Sequence, residues 1–295
     1  MIKTPLSTVI GGAFWTPGAT VIGGNTPTFD QQILKLFANG EQGFYYDPSD
    51  MGTMFQDAAG TTAVNTTGQP LGLVLDKSKG LALGAELWRD SAVILSGETT
   101  KVTQGVYRIY SSNGLYSAVS VSGPLTAGAL YKLTLNIDSI TVLGGGIVIE
   151  GIPPSLFESL GKKIVYFFPT SSLISLKRLD SACDIQISNV SVQQVLGNHA
   201  YQTTSAARPL FQSNPNRIVY DGVDDKLTTN LPAQLTGCTV IRSVPNVGTQ
   251  ILTGQTIPAT YEDNTGHCGL IVINRALTPS ETSAIAAEFN KRAGV

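Results

Sequence analysis

The chain of 295 residues is 42% hydrophobic and 14% charged with a formal net charge of −2. That is enough apolar material for one or two cores and too little positive charge for a phosphate-binding face. No apolar run approaches the roughly 20 residues that cross a bilayer, and Met1-Ile-Lys-Thr-Pro-Leu6 lacks the apolar core of a secretion signal. Nucleic-acid binding and membrane insertion are therefore not expected, and folding in the cytoplasm is.

Residues 1–27 hold Pro5, Gly11-Gly12, Pro17-Gly18, Gly23-Gly24 and Pro27 without helical period or long alternation, which reads as an extended arm. Phe14, Trp15 and Ile22 on such an arm need apolar cover, from a neighbouring subunit or attachment site or from the arm's own domain. A helix is expected over 28–39. Thr28 and Gln31 have capping-box spacing, Phe29, Ile33, Leu36 and Phe37 share a face, and Gly40 suits a left-handed C-terminal cap. From Gly43 to residue 79 short strands alternate with turns.

Residues 80–196 carry the strongest β signal. Gly105–Tyr110, Leu115–Val121, Leu130–Ile137, Gly146–Glu150, Lys163–Phe168 and Asp184–Val192 alternate apolar and polar residues or run short and apolar between Gly- and Pro-rich turns. They read as an antiparallel sandwich or jelly roll. Beyond them, Gly269-Leu-Ile-Val-Ile273 suits a buried strand. A last helix is expected over 279–292, with Thr278 as cap, Pro279 in the first turn, Glu281 completing the box and Gly294 ending it.

Chemistry is sparse. His199 and His267 are the two histidines, no Gly-x-Ser-x-Gly elbow occurs, and Gly144-Gly-Gly146 is not followed by Lys-Ser/Thr. No paired carboxylates stand out for glycoside hydrolysis. Cys183, Cys238 and Cys268 read as buried thiols, with a Cys238–Cys268 bridge the alternative. Asp221, Asp224 and Asp225 suit a tight turn, with calcium the alternative, and no metal or cofactor is assigned. Sugars stack on aromatic rings, so Trp88, Tyr107, Tyr110 and Tyr116 are the candidate glycan contacts, with Tyr131 a further aromatic of the same module. Tyr107 and Arg108 belong to opposite faces of one strand.

Tyr46-Asp-Pro-Ser-Asp50, Phe55-Gln-Asp57 and the run Gly68–Ser78 ending Leu-Val-Leu-Asp-Lys-Ser resemble the start of a domain of tailed-bacteriophage virion proteins, related to laminin G and concanavalin-like lectin sandwiches. Gly197-Asn-His-Ala200 and Val219-Tyr-Asp-Gly-Val-Asp-Asp-Lys-Leu227 resemble its continuation, and Ile187-Ser-Asn-Val-Ser-Val192 resembles the last strand of jelly-roll carbohydrate-binding modules. The resemblance implies a mainly β chain of two antiparallel sandwich or jelly-roll domains, one inserted into the other. Its parts are an arm at 1–27, an outer lectin-like domain at 28–79 plus 197–295, and an inserted module at 80–196. It further implies a non-enzymatic virion protein assembled in the host cytoplasm. The first expectation is a tail-fibre or baseplate component that binds other virion proteins, forms a homo-oligomer with a trimer favoured, and adsorbs to a host-surface glycan. The alternatives are a capsid decoration or head-fibre protein and a glycan depolymerase.

Overall fold

The computed structural model describes residues 8–10, 13–15, 27–150 and 156–295. As expected, the fold is mainly β, with antiparallel sheets and, among the described residues, two α-helices. Helix α1 (Phe29–Leu36) starts with the Thr28/Gln31 capping box. It stops at Phe37, earlier than the spacing predicts, and Gly40 takes its left-handed conformation in the following turn. Helix α2 (Pro279–Ala293) has the predicted Thr278/Glu281 box and the left-handed Gly294 cap. Within the stretch expected as an extended arm, Thr8–Ile10 pairs with Ala13–Trp15 as a hairpin. Ile22 and the side chains of Phe14 and Trp15 lie outside the described residues.

The flanking regions build two larger sheets and, among the described residues, the two-stranded pairing of Leu210–Gln212 with Arg217–Val219. One runs Gly248–Ile257, Leu235–Val244, Gly269–Ile273, Gly43–Tyr46. The other runs Thr260–Asp263, Leu227–Asn230, Ala200–Tyr201, Leu73–Val74, Met54–Phe55. The run Gly269–Ile273 is continuously apolar because both of its faces are covered. Leu270 and Val272 pack with Phe44, Tyr46 and Val240 between the sheets, while Ile271 and Ile273 pack with Tyr45, Ile33 and Phe289 under the helices.

Residues 93–194 form two further five-stranded sheets facing each other. One is Gly161–Phe167, Tyr131–Val142, Cys183–Gln194, Val106–Ser111, Thr100–Thr103. Its partner is Leu156–Phe157, Ile147–Ile149, Leu173–Arg178, Ala118–Ser122, Val93–Ser96. Tyr107, Ile109, Leu133, Leu135, Ile185 and Ile187 of the first meet Val119, Val121, Ile147 and Leu176 of the second. The chain enters and leaves this sandwich at one place. Leu83 bridges Val195 antiparallel, Leu196 N–H donates to Ala82 O at 2.8 Å, and Gly84 N–H donates to Gln194 O at 2.8 Å. A smaller apolar cluster of Leu73, Leu75, Leu130 and Val195, with Tyr166, Phe168 and Tyr201 against it, lies between this sandwich and the flanking sheets.

Asp76 fastens that junction. Its fully buried carboxylate accepts from Tyr45 N (2.8 Å), Ser78 N (2.7 Å), Ser78 Oγ (2.8 Å) and Asn198 N (2.7 Å). Gly197 must be glycine, because at φ +130° a Cβ would sit 2.7 Å from Asp76 Oδ2. The Asp76 backbone N–H donates to His199 Nδ1 at 2.9 Å. The ring proton therefore lies on Nε2, which donates to Val195 O at 3.1 Å. Asn198 reaches Gly43 O through its amide and takes Tyr46 O–H on its carbonyl. Next door, Lys77 Nζ is held by Asp30 (2.9 Å), Asp47 (3.1 Å) and Asp50 (3.0 Å), which ties α1 to the same knot.

Burial pushes the Asp76 carboxyl up to about 6 and the His199 imidazole down to about 4. In the unfolded chain histidine takes its proton near pH 6.5 and aspartate near 3.9, so between these limits each state holds one proton, on Asp76 when folded and on His199 when unfolded. The two effects, about 3 kcal/mol each, cancel. Removing one partner uncovers the other. Asp76→Asn is expected to lose stability as pH falls from about 6.5 to 4, and His199→Gln to gain stability over the same interval. Urea unfolding of both variants and the parent at pH 7 and pH 4.5 measures the opposed slopes.

Candidate functional site

The Cys183–Gln194 strand breaks its alternation in the middle. Ile185 and Ile187 point inward, and so do Val190 and Val192, an odd number of residues later. The register against Tyr131–Val142 slips there, Thr134 facing Ser191 while Asn136 faces Ser188, so Asn189 and Val190 form a bulge. Asn189 sits at φ +50°, a left-handed conformation that asparagine tolerates better than other residues with a side chain.

Beside the bulge the sheet opens into a recess of about 180 Å³ lined by Trp88, Asp90, Gln104, Gly105, Val106, Tyr107, Ser188, Asn189 and Val190. Trp88 arrives on the segment preceding the first strand of the sandwich. Glu86 pins that segment to the bulged strand by accepting from Trp88 N and Val192 N, both at 2.8 Å, and from the Ser191 hydroxyl. The Trp88 indole meets the Tyr107 ring edge to face, with centroids 6.2 Å apart. Its buried N–H has no hydrogen-bond partner. The Tyr107 hydroxyl gives its proton to Asp90 Oδ1 at 2.5 Å, which leaves its oxygen lone pairs toward the Trp88 N–H, and against the upward push of burial this approach lowers the Tyr107 pKa. Gly105 N–H donates to the same oxygen at 3.0 Å, and Lys101 pairs with Asp90 Oδ2. Lys101 first, then the Tyr107 and Gly105 donors, holds the Asp90 carboxyl down at about 2, while burial pushes Tyr107 up to about 12. Asp90 is thus an ionised, engaged acceptor rather than a proton donor.

Two of the four expected glycan contacts, Trp88 and Tyr107, therefore meet at one recess, though not as exposed stacking platforms. Trp88 is 6% exposed and Tyr107 is 0% exposed. Inward register on a core strand makes Tyr107 a wall, and the hydrophobic effect draws the indole in beside it. Tyr110 lies on the opposite face of its strand from Tyr107, its ring covered by the Arg108 guanidinium at 4.5 Å, and Arg108 is clamped by Asp184 at 2.6 and 2.7 Å. Tyr116 is exposed on a loop, bonded to Glu150 at 3.1 Å beneath Lys177. Tyr131 packs in the core against Phe167. Sequence reading missed Asp90, Gln104 and Asn189. The broken alternation between Ile187 and Val190 is the signal that would have exposed the last of these.

The other candidates are engaged in structure. Asp221 Oδ1 accepts from Val223 N, Asp224 N and Asp225 N, and Asp225 Oδ2 accepts from Asp221 N, so the acidic turn holds its own backbone. Buried His267 pairs with Asp263 at 3.0 Å, and among the described residues no serine hydroxyl bonds either histidine. Cys183, Cys238 and Cys268 are buried free thiols, with no bridge between the last two. Among the described residues no helix is long and apolar enough to cross a membrane. Comparison with protein-family models, curated proteins and solved structures finds no match to this chain.

Because Trp88 fills core volume, Trp88→Ala is expected to cost about 3–5 kcal/mol, whereas Tyr110→Ala, outside the core, costs about 1 kcal/mol or less. Chemical denaturation of both variants checks the contrast.

Proposed function

We propose that the chain is a non-enzymatic structural protein of a tailed-phage virion, a tail-fibre or baseplate component. In this reading residues 80–196 form an inserted module that takes one sugar of a host-surface glycan into the Trp88 recess. The observation that carries the binding role is the recess itself, walled by Trp88, Tyr107, Val106 and Val190 and rimmed by the Gln104 and Asn189 amides. Apolar walls with a few convergent polar groups are what a polar ligand with an apolar face requires. Binding is favoured over hydrolysis because Asp90 is the one carboxylate of the lining and holds no proton to give, whereas glycosidases work with two carboxyl groups. The virion assignment rests on the sequence resemblance. The junction at Ala82 and Leu196 supports an inserted module, since a guest whose ends meet disturbs its host least.

Two measurements test this. Gln104→Ala with Asn189→Gly removes both rim amides while keeping a residue suited to positive φ. This double variant is expected to keep the melting midpoint within a few degrees and to bind host-surface polysaccharide at least tenfold more weakly than the parent chain. Gold-labelled antibody against residues 80–196 is expected at the tail end of intact particles. Label over the capsid would favour the decoration reading.

A further inference from the structure

Resting on the adsorption reading, we infer that the end of the central sandwich farthest from its junction is a protein-docking face, fitted to a host-surface protein that offers an apolar centre flanked by Lys and Arg.

One long strand defines the two ends of this sandwich. Tyr131 pairs with Gln194 beside the junction, and Val142, at the other end of a 12-residue strand roughly 35 Å long, pairs with Asp184. Four connections between strands gather at that far end, residues 97–99, 112–117, 143–146 and 179–182. Surface loops are ordinarily built of polar and turn-forming residues, yet here Leu115, Val142, Leu143 and Leu179 are each 38–67% exposed. Backbone bonds hold their loops side by side. The Arg178 guanidinium donates to Leu115 O, Leu179 N–H donates to Gly146 O at 3.0 Å, and Gly146 N–H donates to Leu143 O at 2.7 Å. Ser111 Oγ also donates to Leu115 O at 2.9 Å, and Leu115 N–H donates to Asn113 Oδ1 at 3.0 Å. At Gly144 the chain passes so close to Ala182 O that a Cβ would overlap it. The aliphatic patch is thus carried on a pinned frame, with little ordering left to do when a partner arrives.

Charge selects the kind of partner. The cations of this end are spent, Arg108 on Asp184, Lys177 on Glu150 and Arg178 on the Leu115 carbonyl. Exposed Glu98, which accepts the Ser112 N–H, and exposed Asp180, beside Gly145, form no ion pair among the described residues, so the rim of the patch is negative. Such a rim is repelled by an anionic bilayer. A sugar would meet aliphatic side chains where it needs rings and amides. An aliphatic centre with a charged rim has the anatomy of a protein interface, and carboxylates at its edge match Lys and Arg on the other side. The Trp88 recess lies at the opposite end of the Val106–Ser111 strand, so the two faces are separate.

The test uses the full chain, labelled with a fluorophore, on intact cells of the bacterial host, on cells whose glycans are oxidised with periodate, and on cells shaved with protease. The parent chain is expected to stay on periodate-treated cells, to leave them in high salt, and to be lost from shaved cells. Leu115→Ser with Leu179→Ser is expected to keep the melting midpoint and the binding of host polysaccharide, and to hold periodate-treated cells about tenfold more weakly. Asp180→Lys reverses one rim charge outside the core and is expected to weaken the same retention. Should the double variant unfold, this single variant decides. Equal retention of parent and variants, retention of the parent on shaved cells, or uptake by phosphatidylglycerol vesicles that the double variant loses overturns the protein-docking assignment. So does sedimentation of the parent as an oligomer that the double variant dissolves, which makes the face a contact between copies. Loss of the parent from periodate-treated cells, while untreated cells and polysaccharide still bind it, overturns the docking face and leaves the glycan reading standing. No binding to untreated cells or to host polysaccharide overturns both.

Discussion

A carboxylate cannot be taken out of water unless donors inside the protein replace its hydration, and Asp76 sets that requirement at the centre of this molecule. Its four donors come from residues 45, 78 and 198, so solvating one side chain fixes the edge strand of a sheet, the turn leading into the central sandwich and the segment returning from it. The Gly197-Asn-His-Ala200 run then has a physical meaning position by position. Gly197 makes room for the carboxylate, Asn198 donates to it and reaches Gly43, His199 caps the Asp76 backbone, and Ala200 pairs beside Val74. Residues that read as candidates for chemistry in the sequence are the solvation shell of one buried charge.

The central sandwich answers to a different constraint. Its two sheets share a core built by alternation, and that alternation is violated at Asn189-Val190. The bulge leaves a recess at the sheet margin beside buried Trp88 and Tyr107, and Glu86 holds the tryptophan segment against the same strand. The recess is thus a consequence of one extra residue in a strand and one carboxylate bracing its neighbour. Asp90, locked by Lys101, Tyr107 and Gly105, gives the recess a rigid charged side whose ionisation does not vary across ordinary pH.

How much of this was legible follows from where each element's information lies. Helix α2 and the Gly269–Ile273 strand were readable because local signals agree with tertiary burial: a complete capping box in one, and apolar residues for both covered faces in the other. The strand Leu173–Arg178 was not, because Ser175 occupies a buried position and satisfies its hydroxyl across the sheet on Ser120 at 2.7 Å, which breaks the apolar pattern. Thr100–Thr103 escaped because an edge strand exposed at every residue has no pattern to show. Trp88 and Tyr107 could be named from the sequence as a type of residue that binds sugars. Their burial, and the partners Asp90 and Gln104, depend on pairing between distant strands that no local window contains.

The side-by-side passage of the chain at Ala82 and Leu196 has a mechanical side. Any pull on the central sandwich is carried outward by two covalent strands in parallel, both drawn the same way, so the hydrogen bonds between them bear little load. Tension meets the Tyr166 N–Ala59 O bond, the apolar cluster at the junction and the Asp76 knot, where four short bonds and the bonds of Asn198 and His199 hold both strands to the flanking sheets. A joint loaded in this way shares its load among several contacts, and the same buried carboxylate that organises the fold is one of the anchors that carry it.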